Sequence, residues 1–146
     1  MSSLDHLFGS LRIAATGLSS ERAHINVISE NIANARVTRT PEGGPYQRKT
    51  VAFQPLLLQD DKGRTYARGV RPSAVELDSS SEFIEQFEPG HPDADPNTGM
   101  VIYPNVNSLK EMTDLIAALR SYEANLAVQE GFVRTAERAL RLAQSS

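Results

Sequence analysis

The distribution of proline most constrains what this chain can fold into. All eight prolines lie between Pro41 and Pro104, which leaves a long proline-free stretch at each end of the 146 residues. Proline lacks a backbone N–H and clashes with the preceding helical turn, so long helices are confined to the two ends. We therefore expect a helical segment in residues 1–35, a non-helical domain in residues 36–107 and a second helical segment in residues 108–146.

The first segment carries apolar residues at every seventh position. One unbroken column consists of Leu4, Leu11, Leu18, Ile25 and Ile32. A second column, three residues further on, contains small and apolar side chains but is interrupted at Glu21. Two such columns are the a and d positions of a heptad, which is typical of a helix that packs along a partner helix. The pattern predicts one helix from Leu4 to Ala33.

The last segment repeats this seven-residue pattern. Its first column consists of Met112, Leu119, Leu126, Val133 and Leu140. The run from Ser108 to Glu111 has the residue types of a capping box and predicts that the helix begins there. The two matched columns predict that the terminal helices pair as a coiled coil. A helical hairpin within a single chain would account for the same columns, so the pattern alone leaves the number of chains open.

The middle segment has the residue pattern of short strands and turns. Strands are predicted around Tyr46–Phe53, Thr65–Leu77 and Met100–Tyr103, where β-branched, aromatic and aliphatic residues cluster between glycines and prolines. About 70 residues of this kind can form a small β-rich domain. The predicted fold class is therefore α+β, with two long terminal helices and a small β-rich domain between them.

Sequence motifs of catalysis or cofactor binding are missing from the chain. It contains no cysteine and none of the glycine-rich phosphate-binding or G-x-S-x-G motifs. Asp93, Asp95 and Asn97 match the first ligands of a calcium loop, but Thr98 replaces the glycine and Pro104 the bidentate glutamate. We predict no catalytic residue, no metal ligand and no cofactor. An enzyme that uses the Asp93 and Asp95 loop remains one competing hypothesis.

Charge is unevenly distributed within the middle segment. Residues 36–71 carry eight basic and three acidic side chains, whereas residues 72–107 carry seven acidic and no basic ones. The bases around Arg36, Arg39, Arg48 and Lys49 would suit a nucleic acid, but the acidic half would repel its phosphates. We expect these opposite charges to pair, partly within one chain and partly between neighbouring copies.

Several motifs resemble those of bacterial flagellar axial proteins, the family of rod, hook and hook-associated proteins. The resemblance rests on ATGLSSER at 15–22, NVISENIANA at 26–35 and RSYEAN at 120–125. The stretches TRTPEGGPY at 38–46, PGHPDADP at 89–96 and YPNVN at 103–107 resemble the proximal rod branch. The matching motifs add Asn31, Asn34, Tyr122 and Asn125 to the two heptad columns as expected assembly residues.

The resemblance implies a structural protein and not an enzyme. Such a subunit would assemble into a helical, torque-transmitting tube, with the terminal helices inside and the small domain outside. Its expected partners are copies of itself, other rod proteins and the flagellar type III export apparatus, with no nucleic acid and no membrane-spanning segment. It would lie in the periplasmic rod of the basal body and be exported without a cleaved signal peptide. A hook or other axial protein, and a monomeric helical hairpin that binds a ligand, are the alternatives.

Overall fold

The computed structural model describes the backbone of residues 3–59 and 62–144, and the side chains of these residues except 3–8 and 143. Within these residues, the chain forms two long helices with four strands between them in the sequence. In chain order the elements are α1 (Ser3–Ala33), β1 (Lys49–Gln59), β2 (Thr65–Leu77), β3 (Ile84–Phe87), β4 (Met100–Tyr103) and α2 (Ser108–Gln144). The strands form two separate two-stranded sheets, β1–β2 and β3–β4. The predicted α+β fold, with two terminal helices and a small stranded middle, is confirmed.

The helix boundaries follow from local side-chain chemistry. At the end of α1, the Asn34 side chain donates to the Glu30 carbonyl over 2.8 Å and so satisfies a carbonyl of the last turn. At the start of α2, the Asn107 side chain accepts from the Lys110 N–H over 3.1 Å. The helix begins at Ser108 as predicted, but the predicted capping box is wrong. Asn107 caps the helix, and the Glu111 side chain is buried rather than folded back onto the helix start.

The chain divides into two compact units, each of which draws on both helices and the middle segment. Unit 1 comprises Met1–Ala23, Phe53–Ser73 and Ala118–Ser146, and unit 2 comprises His24–Ala52 and Ala74–Ala117. These units cut across the three segments that the sequence suggested. The assignment of residues 1–35 and 108–146 to an inner core and residues 36–107 to an outer domain stays a prediction.

In unit 1, the hydroxyl groups of α1 hold the backbone of β2. Thr16 Oγ1 accepts from the Val70 N–H over 3.2 Å, and Ser20 Oγ donates to the Val70 carbonyl over 3.3 Å. These two side chains of α1 therefore satisfy both the N–H and the carbonyl of Val70. This close approach requires Gly69, because a Cβ there would lie 2.3 Å from Thr16 Oγ1 and the residue has a φ of +136°.

Replacing Gly69 by alanine is therefore expected to lower the free energy of unfolding by about 1–3 kcal/mol, the usual cost of a residue forced into a strained conformation. Urea unfolding followed by circular dichroism measures the change. Gly131→Ala is the matched control, since nothing lies within 4 Å of a Cβ at this helical position. The control should raise stability by about 0.5–1 kcal/mol. Equal stability of Gly69→Ala and the wild type would contradict the close packing of β2 on α1.

The two helices contact each other in both units. In unit 1, a Cβ added at Gly17 would lie 3.2 Å from Asn125 Nδ2, so the helices come close at a residue without a side chain. In unit 2, Asn31 Nδ2 donates to Glu111 Oε2 over 3.0 Å. These contacts show that α1 and α2 pair, as the sequence predicted. The residues at the contacts, however, are not those of the apolar column of α2.

Unit 2 has a small apolar core on one side of the β3–β4 sheet. Its buried apolar side chains are Val27, Ile28, Tyr46, Val101 and Val106. Strands β3 and β4 pair antiparallel, with Gln86 opposite Val101. Val101 is fully buried and so directs one face of this sheet into the core. The opposite face of the sheet is left accessible to solvent.

Candidate assembly interface

A buried cluster of polar side chains joins the helix ends to the middle segment in unit 2. Asn31, which is 1% exposed, lies at its centre. The Asn31 amide donates to the Lys49 carbonyl and to Glu111, and its oxygen accepts from the Tyr46 hydroxyl and the Lys49 N–H, all within 3.0 Å. All four hydrogen-bonding positions of the amide are thus used. We call this group of residues the Asn31 cluster; its members are Asn31, Tyr46, Arg48, Asp78, Asn105 and Glu111.

Arg48 supplies the positive charge of the Asn31 cluster. Its Nε lies 2.7 Å from Glu111 Oε1 and its Nη1 lies 3.2 Å from Asp78 Oδ2. Burial by itself lowers the pKa of Arg48, but hydrogen bonds and charge from Glu111 and Asp78 outweigh it and raise the pKa. Glu111 is fully buried, so its charge depends on this guanidinium for compensation. One arginine thereby ties the start of α2 to the loop after β2.

Burial and the nearby carboxylates of Glu30 and Glu111 raise the pKa of Tyr46 to about 12. The hydroxyl therefore stays protonated at neutral pH and can donate to Asn31.

Asn105 completes the cluster by binding backbone groups. Its side chain accepts from the Arg48 N–H over 2.7 Å and donates to the carbonyls of Asp78 and Ser81. Each buried polar side-chain atom in the described part of the chain has a hydrogen-bond partner.

Asp78 makes the cluster sensitive to acid. Hydrogen bonds from Ser80 and Ser81, followed by the one from Arg48, lower the pKa of Asp78 well below its ordinary value of 3.8. A lowered pKa in the folded state contributes stability that is complete above the ordinary pKa and is lost as the pH falls below it. We expect stability to fall below about pH 4. Asp78→Asn should lower the free energy of unfolding at pH 7 and reduce its fall at acid pH. Urea unfolding at several pH values measures both effects. If the free energy of unfolding of the variant fell with pH as steeply as that of the wild type, Asp78 would not be the source of the acid sensitivity.

The opposite charges of the middle segment do pair within the chain. Arg48 and Asp78 come from the basic and acidic halves respectively, and so do Arg39 and Asp93, whose Nε and Oδ1 atoms are 3.2 Å apart. The Thr38 hydroxyl also donates to Asp93 over 2.8 Å. In the calcium-like loop, Asp95 accepts from the N–H groups of Asn97 and Thr98. Both aspartates are thus used by the local structure of unit 2.

The predicted assembly residues of α1 are half-buried in the single chain. Leu11, Leu18, Ile25 and Ile32 have this intermediate exposure, and the side chain of Leu4 lies outside the described residues. Asn31 is buried in its cluster, while Asn34 is half-buried at the helix end. The column therefore contributes to packing within the chain and keeps part of its surface accessible.

The predicted column of α2 lies almost entirely at the surface. Its side chains are between 38% exposed, at Leu126, and 61% exposed, at Leu140; the others are Met112, Leu119 and Val133. Positions one residue earlier face inward instead, since Glu111 and Ala118 are buried and Asn125 is half-buried. Tyr122 is half-buried as well. We call the exposed residues Met112, Leu119, Leu126, Val133 and Leu140 the α2 column.

The α2 column is an apolar surface that stays about half accessible to solvent in the single chain. Leu109 and Ile116, three residues before Met112 and Leu119, extend it and are 76% and 55% exposed. Contiguous apolar surfaces of this kind mark contacts with other proteins. Fully burying one leucine or valine side chain contributes about 1.5–3 kcal/mol, so covering the column would strongly favour association.

Sequence reasoning did not identify most of the Asn31 cluster. Tyr46, Arg48, Asp78, Asn105 and Glu111 were not among the predicted interface residues. A signal was present at Glu111, which stands seven residues before Ala118 and fourteen before Asn125, in the column that faces inward. The other members are brought together from distant parts of the chain, and no spacing in the sequence indicates that.

Comparison with known proteins finds two family matches along the chain. Residues 11–39 match the family described as flagella basal body rod protein. Residues 97–130 match the family described as flagellar basal body rod FlgEFG protein C-terminal. The two matches include the helical motifs in α1 and α2 and the Asn31 and Glu111 positions.

Curated relatives match over most of their length. A protein named flagellar basal-body rod protein FlgC from Agrobacterium fabrum is 43% identical over 126 residues, covering 86% of both chains. The protein of the same name from Borreliella burgdorferi is 40% identical over 134 residues, covering 84% of this chain and 88% of the relative. That from Salmonella typhimurium is 37% identical over 116 residues, covering 80% and 82%.

Proposed function

This chain belongs to the family of flagellar basal-body rod proteins, and from that membership we propose that it is a structural subunit of the proximal rod, which assembles through its terminal helices. The observation that carries the proposal is the exposed α2 column in a chain whose relatives are named as rod proteins. An apolar column along a paired helix is suited to burial between helices of neighbouring subunits.

The proposed partners are copies of this chain and other rod proteins. Interdigitated helices would bury the α2 column on several neighbours at once, which suits a shaft that carries torque. An open, head-to-tail contact of this kind generates a helical polymer. The proposed location is the periplasmic section of the basal body, reached through the flagellar export apparatus. No helix in the described residues is long and apolar enough to cross a membrane.

A structural role is also favoured by the way the polar side chains are used. The buried polar groups of unit 2 bind one another and the backbone, and they fix the ends of α1 and α2. Among the described residues, no group of three or more His, Cys, Asp or Glu side chains is arranged to hold a metal ion. Asp93 and Asp95 are held by hydrogen bonds and an ion pair within unit 2.

The proposal is tested by deleting the gene and restoring it with an epitope-tagged copy. We expect loss of motility on deletion, recovery with the tagged copy, and the tag in purified basal bodies. Tagged protein that restores motility but is absent from purified basal bodies would contradict a structural role in the rod.

A further inference from the structure

Internal pairing leaves a specific set of charges in the middle segment without ion pairs. Arg39 and Arg48 form ion pairs with Asp93 and Asp78 inside unit 2, and of the two arginines only Arg48 is largely buried. In the acidic half, Glu82 and Glu85 are exposed and make no ion pair with any described residue. In the basic half the same holds for Arg68 and Arg71 on β2; Arg71 is exposed and Arg68 half-buried.

Of the two glutamates, Glu85 lies on an exposed, largely apolar sheet face in unit 2, and Glu82 precedes strand β3 by two residues. Glu85 lies opposite Ile102, and Phe87 lies opposite Met100, so alternation along the strands places all four on one face. We call these four residues the β3–β4 face. Phe87 is 69% exposed and Ile102 45% exposed. Glu85, Met100 and Ile102 also line a groove of about 430 Å³.

The unpaired arginines lie on a strand that is held in place. Val70, between Arg68 and Arg71, is bound on both polar backbone groups by Thr16 and Ser20 of α1. Tyr66, on the same strand, is 42% exposed. We call Tyr66, Arg68 and Arg71 the β2 arm. Because the backbone at Val70 is anchored in unit 1, docking of the arm would cost little backbone entropy. Alternation along β2 places Tyr66 and Arg68 on one face of the strand and Arg71 on the other, so contact with both arginines would use the edge of the strand as well as one face.

We infer that the β2 arm of one copy docks on the β3–β4 face of a second copy of this chain. This inference rests on the proposed function, because it names the contact that successive subunits would make outside the terminal helices. The β2 arm is basic and the β3–β4 face with Glu82 is acidic, and each surface also exposes an aromatic side chain. Contact between them would pair Arg68 and Arg71 with Glu82 and Glu85, and it would bury Phe87. Both surfaces occur on every copy, and contact between two different surfaces propagates into an open polymer. Contact between two identical surfaces, arm to arm or face to face, would place like charges together and is disfavoured.

The experiment is a charge exchange in the full chain, expressed in the deletion strain. Arg68→Glu with Arg71→Glu, and separately Glu82→Lys with Glu85→Lys, should each lower the amount of this chain in purified basal bodies about tenfold, because two exposed pairs are replaced by repulsion. The quadruple variant should recover to within about threefold of the wild type, since the charges are again complementary between copies. Glu42→Lys, an exposed reversal outside both surfaces, is the control and should have no effect.

The melting temperature of each purified variant separates contact between copies from pairing within one chain. We expect all four variants to have the melting temperature of the wild type. Lower melting temperatures in the double variants would assign the pairing to a single chain and overturn the inference. So would normal incorporation of either double variant, or failure of the quadruple variant to recover. The proposed function is judged separately, by the presence of the wild-type chain in basal bodies.

Discussion

Replacing Glu111 by alanine should lower the free energy of unfolding by about 3–5 kcal/mol, the usual cost of removing one partner from a buried ion pair. The substitution leaves the Arg48 guanidinium, whose side chain is 17% exposed, without its closest counter-charge. It also removes a hydrogen bond from Asn31. Small domains are stable by only about 5–15 kcal/mol in total, so much of the stability of this chain depends on one carboxylate.

Urea unfolding followed by circular dichroism measures this loss. Glu137→Ala is the matched control, because Glu137 forms an exposed pair with Arg141 in the same helix. Its loss should cost about 0.3–0.5 kcal/mol. Glu111→Gln keeps a group that can accept from Asn31 but removes the charge opposite Arg48, and it should fall between the two. Stability of Glu111→Ala equal to that of the control would show that the Asn31 cluster does not hold unit 2 together.

Placing aspartate at both Leu119 and Leu126 should abolish assembly and leave the single chain folded. The two side chains are 42% and 38% exposed in the single chain, so a charge there remains hydrated. Between subunits the same charge would be buried without a partner, which costs several kcal/mol at each site. We expect at least a hundredfold loss of the chain from basal bodies and loss of motility, from about 3 kcal/mol or more of lost association energy.

Two controls separate assembly from folding in this experiment. Ala124→Asp places a charge at an exposed helical position that lies around the helix from Leu119 and Leu126, and it should leave incorporation unchanged. Leu18 is half-buried within the single chain, so Leu18→Asp should lower the melting temperature of the chain as well as its amount in basal bodies. Normal incorporation of the double variant of Leu119 and Leu126 would contradict assembly through the α2 column.

The sequence predicted the helices well because two strong local signals agree. Prolines are confined to the middle of the chain, and a seven-residue repeat occupies each end. Which column faces the partner helix was not predictable. Met112 and Glu111 are adjacent, and hydrophobicity favours burial of Met112, whereas the structure buries Glu111. Burial of that glutamate depends on Arg48, which lies 63 residues earlier, and local patterns carry no information about such a pairing.

The strands were predicted less completely than the helices. Thr65–Leu77 and Met100–Tyr103 agree with β2 and β4, but the strand expected at Tyr46–Phe53 begins at Lys49 and continues to Gln59. Strand β3 was not predicted. Its four residues, Ile84–Phe87, are too few to show alternation, and they are held as a strand by pairing with β4. Tertiary contacts, rather than propensity, therefore decide these strands.

A cryo-electron microscopy reconstruction of basal bodies purified from the native organism tests the central claim most directly. The account predicts density for this chain in the proximal rod, with the α2 column, from Met112 to Leu140, packed against helices of neighbouring subunits. A reconstruction in which this chain occupies the rod but the α2 column faces solvent would contradict assembly through that surface. A rod complete without density for this chain would contradict its role as a rod subunit.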